Sequence, residues 1–293
     1  MIAAQDAPDI GGMIMHHTSD AHEIAFESPL GGELFTIHLP RWEPVHLGPI
    51  TLDLSPTKHV VFMIVAATLV WAMMFLAGRA LTRQRDSGRP PRGFASMIEA
   101  MVLFVRNDIA VANIGHGGEK FAPYILTLFF FILTCNLLGL MPWGATATGN
   151  LAVTGALAIT AFATIEIGGM AALGPRGYVK TIVFTPPGVS GFMAVVMTLI
   201  MTPVELIGKL VKPFALCLRL FANMTAGHFV ILSLLGLIFL FGSGPLLVRW
   251  GVAGGAVFFV LFMLALELLV AFLQAYIFAL LTSVFIGLMR HEH

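Results

Sequence analysis

Charge is what this 293-residue sequence lacks. Only 11% of its residues are Asp, Glu, Lys or Arg, while 58% are hydrophobic. Soluble domains carry about 25% charged residues, so the shortage excludes an ordinary water-soluble globule and places the chain in lipid. The formal net charge is zero; there is no basic excess to draw in nucleic acid, and no nucleic-acid partner is expected. Cysteine is scarce too. Cys135 and Cys217 both lie in apolar runs and lack metal-ligand spacing, so they read as small core residues rather than a disulfide or a metal site. The phosphate-binding loop G-x-x-x-x-G-K-[ST] occurs nowhere, which excludes that type of ATP site; no cofactor is expected. The start, MIAAQDAPDIGGMIMHH, has no basic n-region followed by an apolar run, so no cleavable signal peptide is expected.

Bases are missing from residues 1–57, which hold eight acids and only Arg41. This segment reads as a polar, partly extended tail. Within it ELFTIHL and PITLDL alternate weakly, an expected hairpin pair. His16, His17 and His22 stand near Asp20 and Glu23 and read as part of a solvated tail in preference to a metal site.

Residues 58–293 read as a membrane domain. HVVFMIVAATLVWAMMFLAG (59–78) has no charge after His59, and about 20 residues suffice to cross a bilayer core as one helix. A basic stretch follows (Arg79, Arg83, Arg85, Arg89, Arg92), broken by Pro90 and Pro91. Residues 94–112 are apolar on one side and carry Glu99, Arg106 and Asp108. They predict an amphipathic helix at the membrane surface; the rival is a short helix packed against its neighbours. Residues 121–141 and 151–173 are the next spans, joined by the short, uncharged PWGATATGN. TPPG (185–188) then starts a fresh helix. Seven bases from Arg79 to Lys120 fall on one side, with Arg176, Lys180 and Arg290 if the spans alternate. The other side has Arg41, Lys58 and Arg249. The positive-inside rule then puts the N-terminus outside and the C-terminus in the cytoplasm, with five crossings.

The last two apolar segments, 189–240 and 247–289, are too long. At about 1.5 Å per residue even the shorter reaches about 60 Å, twice the ~30 Å hydrocarbon core. No polar turn divides 251–289, so steeply tilted or bent helices are expected. Pro203 and Pro213 supply possible bends in the first. Such a pair leaves irregular space that could admit water.

Polar residues inside these spans carry the functional argument. Counting about 100° per residue from Arg219, Lys212 falls at about 20°, Asn223 and Glu205 at about 40° and Lys209 at about 80°, one polar stripe. His228 falls on the opposite face. Glu267 and Gln274 share a face of the last helix, and Tyr276 points away from it. Glu166 stands alone in its segment. The lysines and Glu205 read either as the snorkelling inner end of a tilted helix or as part of a site. Arg219 lies deeper, with no acid at i±3 or i±4 to pair with it. An arginine at the bilayer centre costs roughly 3 kcal/mol on insertion scales, so its counter-charge must come from another helix or another chain. His228 reads either as a satisfied core histidine or, with Glu267 across two helices, as a proton relay.

LRLFANMTAGH, with Glu205 upstream and ELLVAFLQAYIFALLTSVFI after it, closely resembles subunit a of the rotary F-type ATP synthase. The likeness runs from about residue 50 to the end and takes in YILTLFFFILTCNLLGLMP and the two long C-terminal helices. It implies a non-catalytic, ion-translocating subunit beside a ring of c subunits, with b-type peripheral-stalk subunits and the rest of the complex as further partners. It implies two aqueous half-channels, with Arg219 between them facing the ring carboxylates. By the same resemblance, Asn223 and Gln274 match polar positions near that arginine, Glu205 an acid of the inner half-channel, and His228 and Glu267 the outer half-channel. Some members carry an acid at the first of these last two positions and a histidine at the second. Gly139 falls where some members have an acid. The implied location is a bacterial inner (plasma) membrane.

The alternative reading is an autonomous proton-coupled secondary transporter. Transporters of that kind usually show internal repeats and broken midplane helices; no repeat relates the two halves here. A purely structural membrane subunit would not need Arg219, Glu267 and Gln274 in lipid.

Overall fold

A computed structural model describes residues 20–27, 33–43, 45–47, 50–53, 55–86, 93–141, 144, 146–183, 191–242 and 244–291. His16, His17, Pro90, Pro91 and the TPPG segment lie outside these residues. The fold is an all-α membrane protein preceded by two short antiparallel hairpins.

Strand β1 (Glu23–Glu27) pairs with β2 (Glu33–His38), and β3 (Val45–Leu47) with β4 (Ile50–Leu52). The expected pairing of ELFTIHL with PITLDL is therefore corrected. Both runs are extended, but each pairs with its neighbour in sequence, which closes a shorter loop at a smaller entropic cost.

Among the described residues, five helices are long and apolar enough to cross a membrane. The first is α1 (Lys58–Asp86). Helix α2 (Phe94–Phe104) continues through a π-helical stretch, Val105–Val111, into one more turn, α3 (Ala112–Ile114). The second crossing is α4 (Gly118–Gly139). A 3₁₀ turn, Ala147–Gly149, leads into α5 (Leu151–Ile182). That helix breaks at Gly174 (φ 69°, ψ 168°), a positive-φ conformation that glycine adopts without a Cβ penalty. Pro175 follows and cannot donate the next backbone bond. The span expected over 151–173 thus runs on past the break to Ile182, taking in Arg176 and Lys180.

Helices α6 (Phe192–Leu240) and α7 (Leu246–His291) contain 49 and 46 residues. At about 1.5 Å per residue each is about 70 Å long, more than twice the hydrocarbon thickness, so tilt or curvature must accommodate them. Pro203 and Pro213 lie inside α6. Large apolar side chains such as Ile64, Trp71, Ile159, Leu199 and Leu247 are more than half exposed. An apolar surface of this extent is costly in water and normal in lipid.

The chain forms two compact units. The first gathers residues up to Leu69, Leu133–Asn150 and Phe221–Leu273; the second gathers Val70–Ile132, Leu151–Leu220 and Gln274 onward. In the second unit α2 buries Ala95 and Ile98, and the π-helical stretch that follows it buries Val105, Ile109 and Ala110. Phe104 stacks on Tyr276 of α7, centroids 6.1 Å apart. The opposite side, with Arg106 and Asp108, is exposed. The amphipathic pattern expected of 94–112 thus appears as one buried face and one exposed face.

Candidate functional site

Each unit holds one group of deep polar side chains. In the first unit a cavity of about 260 Å³ is lined by His59, Gly139, Thr146, Thr225, His228 and Glu267 among apolar neighbours. A water occupies about 30 Å³ of liquid volume, so the space suits several waters given enough polar partners. Those partners are present. Both carboxylate oxygens of Glu267 and the hydroxyl of Thr225 are buried with no hydrogen-bonding group of the protein among the described residues. A buried polar atom is expensive unless it is satisfied, so this cavity favours water over emptiness. His228 Nε2 hydrogen-bonds the Thr146 hydroxyl.

Packing fixes where Glu267 can sit. The Cβ that Gly227 lacks would overlap Glu267 Oε1 and fall 2.8 Å from its Cδ; α6 thus presents a bare backbone to the carboxylate. The turn of α7 after Glu267 is tied to α4, because Asn136 Nδ2 donates to the Ala271 carbonyl at 3.2 Å. Thr148 in turn donates to Asn136 Oδ1 at 2.6 Å. Asn136 is fully buried, and the sequence reading did not single it out; the one signal was an amide inside an otherwise apolar span. At Gly139 a Cβ would overlap the Thr146 hydroxyl. The residue that holds His228 fills that space instead.

The second unit contains Arg219, Gln274, Glu205 and the α6 lysines. The Arg219 side chain is exposed, and among the described residues no acid comes within ion-pair distance of it. Lys212 and Ala215 are exposed as well; Ala222, Asn223 and Ala226, which belong to the first unit, are also exposed. Gln274 is buried and donates to the Arg219 backbone carbonyl at 3.2 Å. That bond sets the helix carrying the arginine against α7 and does not engage the guanidinium. Glu205 is half-buried. Leu216, Cys217 and Leu220 form the buried side of this turn.

The polar stripe expected on α6 is therefore divided. Lys209, at its edge, is buried instead of snorkelling. Its ammonium donates to the Thr181 hydroxyl at 3.1 Å and stands 3.9 Å from Glu166 Oε2. It also lies 4.8 Å from the centre of the Tyr178 ring, within reach of a cation–π attraction. The Tyr178 hydroxyl donates to Glu166. Glu166 does not stand alone, as its segment suggested. The break at Gly174 redirects α5 enough for Tyr178 to bond Glu166, a tertiary fact with no sequence signal beyond Gly-Pro. Lys212 lies 5.1 Å from the Phe285 ring centre.

Five apolar helices with ionisable groups deep inside them define a multi-pass membrane protein. Comparison with known proteins narrows this. The sequence profile of the ATP synthase A chain family matches residues 60–287. ATP synthase subunit a of Chloroherpeton thalassium is 46% identical over 95% of this chain and 77% of that protein. ATP synthase subunit a 2 of Chlorobaculum tepidum is 43% identical over 97% of this chain and 74% of that protein. ATP synthase subunit a of Myxococcus xanthus is 42% identical over 94% of this chain and 92% of that protein. The chain belongs to the ATP synthase A chain family.

Proposed function

We propose that this chain is the proton-translocating, non-catalytic stator subunit of a bacterial rotary ATP synthase, with its N-terminus outside and its C-terminus in the cytoplasm. It works beside a ring of c subunits and is held by b-type stalk subunits. Two half-channels carry the protons. The outer one is the cavity of the first unit, where His228 and Glu267 exchange protons with water. The inner one passes Glu205 in the second unit.

The observation that carries this reading is Arg219. It is a permanent charge in an apolar helix, exposed, without an acid of its own chain among the described residues, and flanked by small exposed alanines. A charge in lipid needs a partner or water. A carboxylate presented by each ring subunit in turn supplies that partner in trans and accounts for the missing partner in cis. Small side chains beside the arginine let another helix approach closely. Asn223, four residues further along the sequence, is exposed too, and Gln274 holds the arginine's backbone. The transmembrane potential supplies about 2.3 kcal/mol per charge per 100 mV, which this path delivers to the ring as torque.

Reconstitution tests the reading. The purified chain alone in liposomes is expected to carry no coupled proton flux, and flux should appear only in the assembled complex. Coupled proton transport by the isolated chain would instead make it an autonomous transporter.

A further inference from the structure

Resting on the outer half-channel proposed above, the geometry points to His59, oriented by Asp20, as the group that collects protons for the outer cavity. His59 is the second residue of α1 and is buried, yet it lines the same cavity as His228 and Glu267. Its Nδ1 lies 2.7 Å from Asp20 Oδ1. The other oxygen of Asp20 accepts from Asn150 Nδ2 at 3.0 Å, so the carboxylate is fixed from two directions. The tail is tied to the same place by its backbone, the Lys58 amide donating to the Ala21 carbonyl at 2.9 Å. The ionisable groups of this neighbourhood are Asp20 and His22 from the tail, Lys58 beside the histidine, and His228 and Glu267 of the cavity. His22 is already engaged, its Nδ1 lying 3.3 Å from the Pro56 carbonyl.

A histidine whose Nδ1 is bonded to a carboxylate has its tautomer set, with Nε2 as the free nitrogen. A nearby carboxylate also stabilises the imidazolium when it forms. A hydrated proton reaching the cavity forms one N–H bond at Nε2 and leaves a neutral water. The same nitrogen then gives that proton to a cavity water, which hands it on to His228 or Glu267. The N–H bond breaks, an O–H bond forms, and His59 returns to neutral. The polar tail thereby gains a task, the delivery of Asp20. A plain anchor for the tail would need the Asp20–His59 bond but not the place of His59 on the cavity wall.

The test uses the whole complex in liposomes, with ATP synthesis driven by an acid-loaded lumen. His59→Ala is expected to slow synthesis severalfold, and imidazole loaded in the lumen to restore much of the loss. Asp20→Asn, at a partly exposed position, should slow synthesis to a lesser extent, whereas Asp20→Glu should keep most of it. Should the His59→Ala complex fail to assemble, the two Asp20 variants decide. Normal synthesis by His59→Ala and Asp20→Asn, with Glu267→Gln and His228→Gln slow, would overturn this inference alone. Normal synthesis by all four would overturn the outer half-channel with it. A slow His59→Ala complex that imidazole leaves unchanged, with Asp20→Asn normal, would make the pair an anchor and overturn the inference.

Discussion

A single methyl group at Gly227 probes the cavity that holds Glu267. In Gly227→Ala the new Cβ would overlap Glu267 Oε1 and fall 2.8 Å from its Cδ and 3.1 Å from its Cγ. Ordinary contact begins near 3.4 Å, so the carboxylate oxygen must swing away by more than an ångström. The side chain is flexible and the neighbouring backbone need not move, so the helices survive. In a helix interior alanine is about 1 kcal/mol more favourable than glycine, so the folded protein should be no less stable than wild type. Proton transfer is less forgiving. Misplacing a reacting group by about 1 Å can cost about 100-fold, and the displacement here is at least of that size. Gly227→Ala is therefore expected to slow ATP-driven proton pumping by one to two orders of magnitude, with the complex assembled and its melting temperature unchanged or raised. The assay is quenching of a pH-sensitive dye in inverted membranes, alongside thermal stability of the purified complex. Pumping at the wild-type rate would refute the reasoning, because the position of the Glu267 carboxylate would then not matter.

Three other outcomes follow from the same structure. Lys209→Met leaves the partly buried Glu166 with Tyr178 but without its cation and should destabilise the detergent-purified protein by about 1 kcal/mol or more; adding Glu166→Gln should recover much of that in a thermal melt. Glu267→Gln and His228→Gln should each slow pumping, the double variant should lose less than the sum, and exchanging the two residues should retain partial flux. A cysteine at Asn223 should crosslink to a ring subunit. One at Leu216 should not, because Leu216 is 5% exposed, although its helical angle alone puts it near the Arg219 face.

Much of the fold was legible because its spans are long and strongly apolar. The first span, expected from residue 59, and the undivided length of α6 and α7 follow from the run of apolar residues and the lack of a polar turn, whereas α1 carries on through the basic stretch to Asp86 and α5 past Gly174 to Ile182. The tail was less legible. Weak alternation marked its strands but carried no information about which strand pairs with which, and chain proximity decided that. Helical angle placed Arg219, Asn223 and Lys212 on one exposed face, since the helical period fixes what shares a side. It could not show that Lys209, less than a quarter turn away, falls on the buried side, nor that Glu166 and Tyr178 come together there. Those facts depend on how α5 folds back at Gly174. Asn136, Thr146 and the Asp20–His59 pair were hidden for a similar reason: each acts through a residue far away in sequence.

The central claim is that Arg219 meets a carboxylate supplied by another chain. Its most direct test is proton pumping by the Arg219→Ala complex in inverted membranes, with ATP hydrolysis by the separate catalytic head measured in parallel. The account predicts that pumping is abolished while hydrolysis persists. Arg219→Lys should fail or nearly fail, because lysine lacks the planar fork and gives up its proton more readily. Proton-coupled ATP synthesis at the wild-type rate in Arg219→Ala membranes would contradict it.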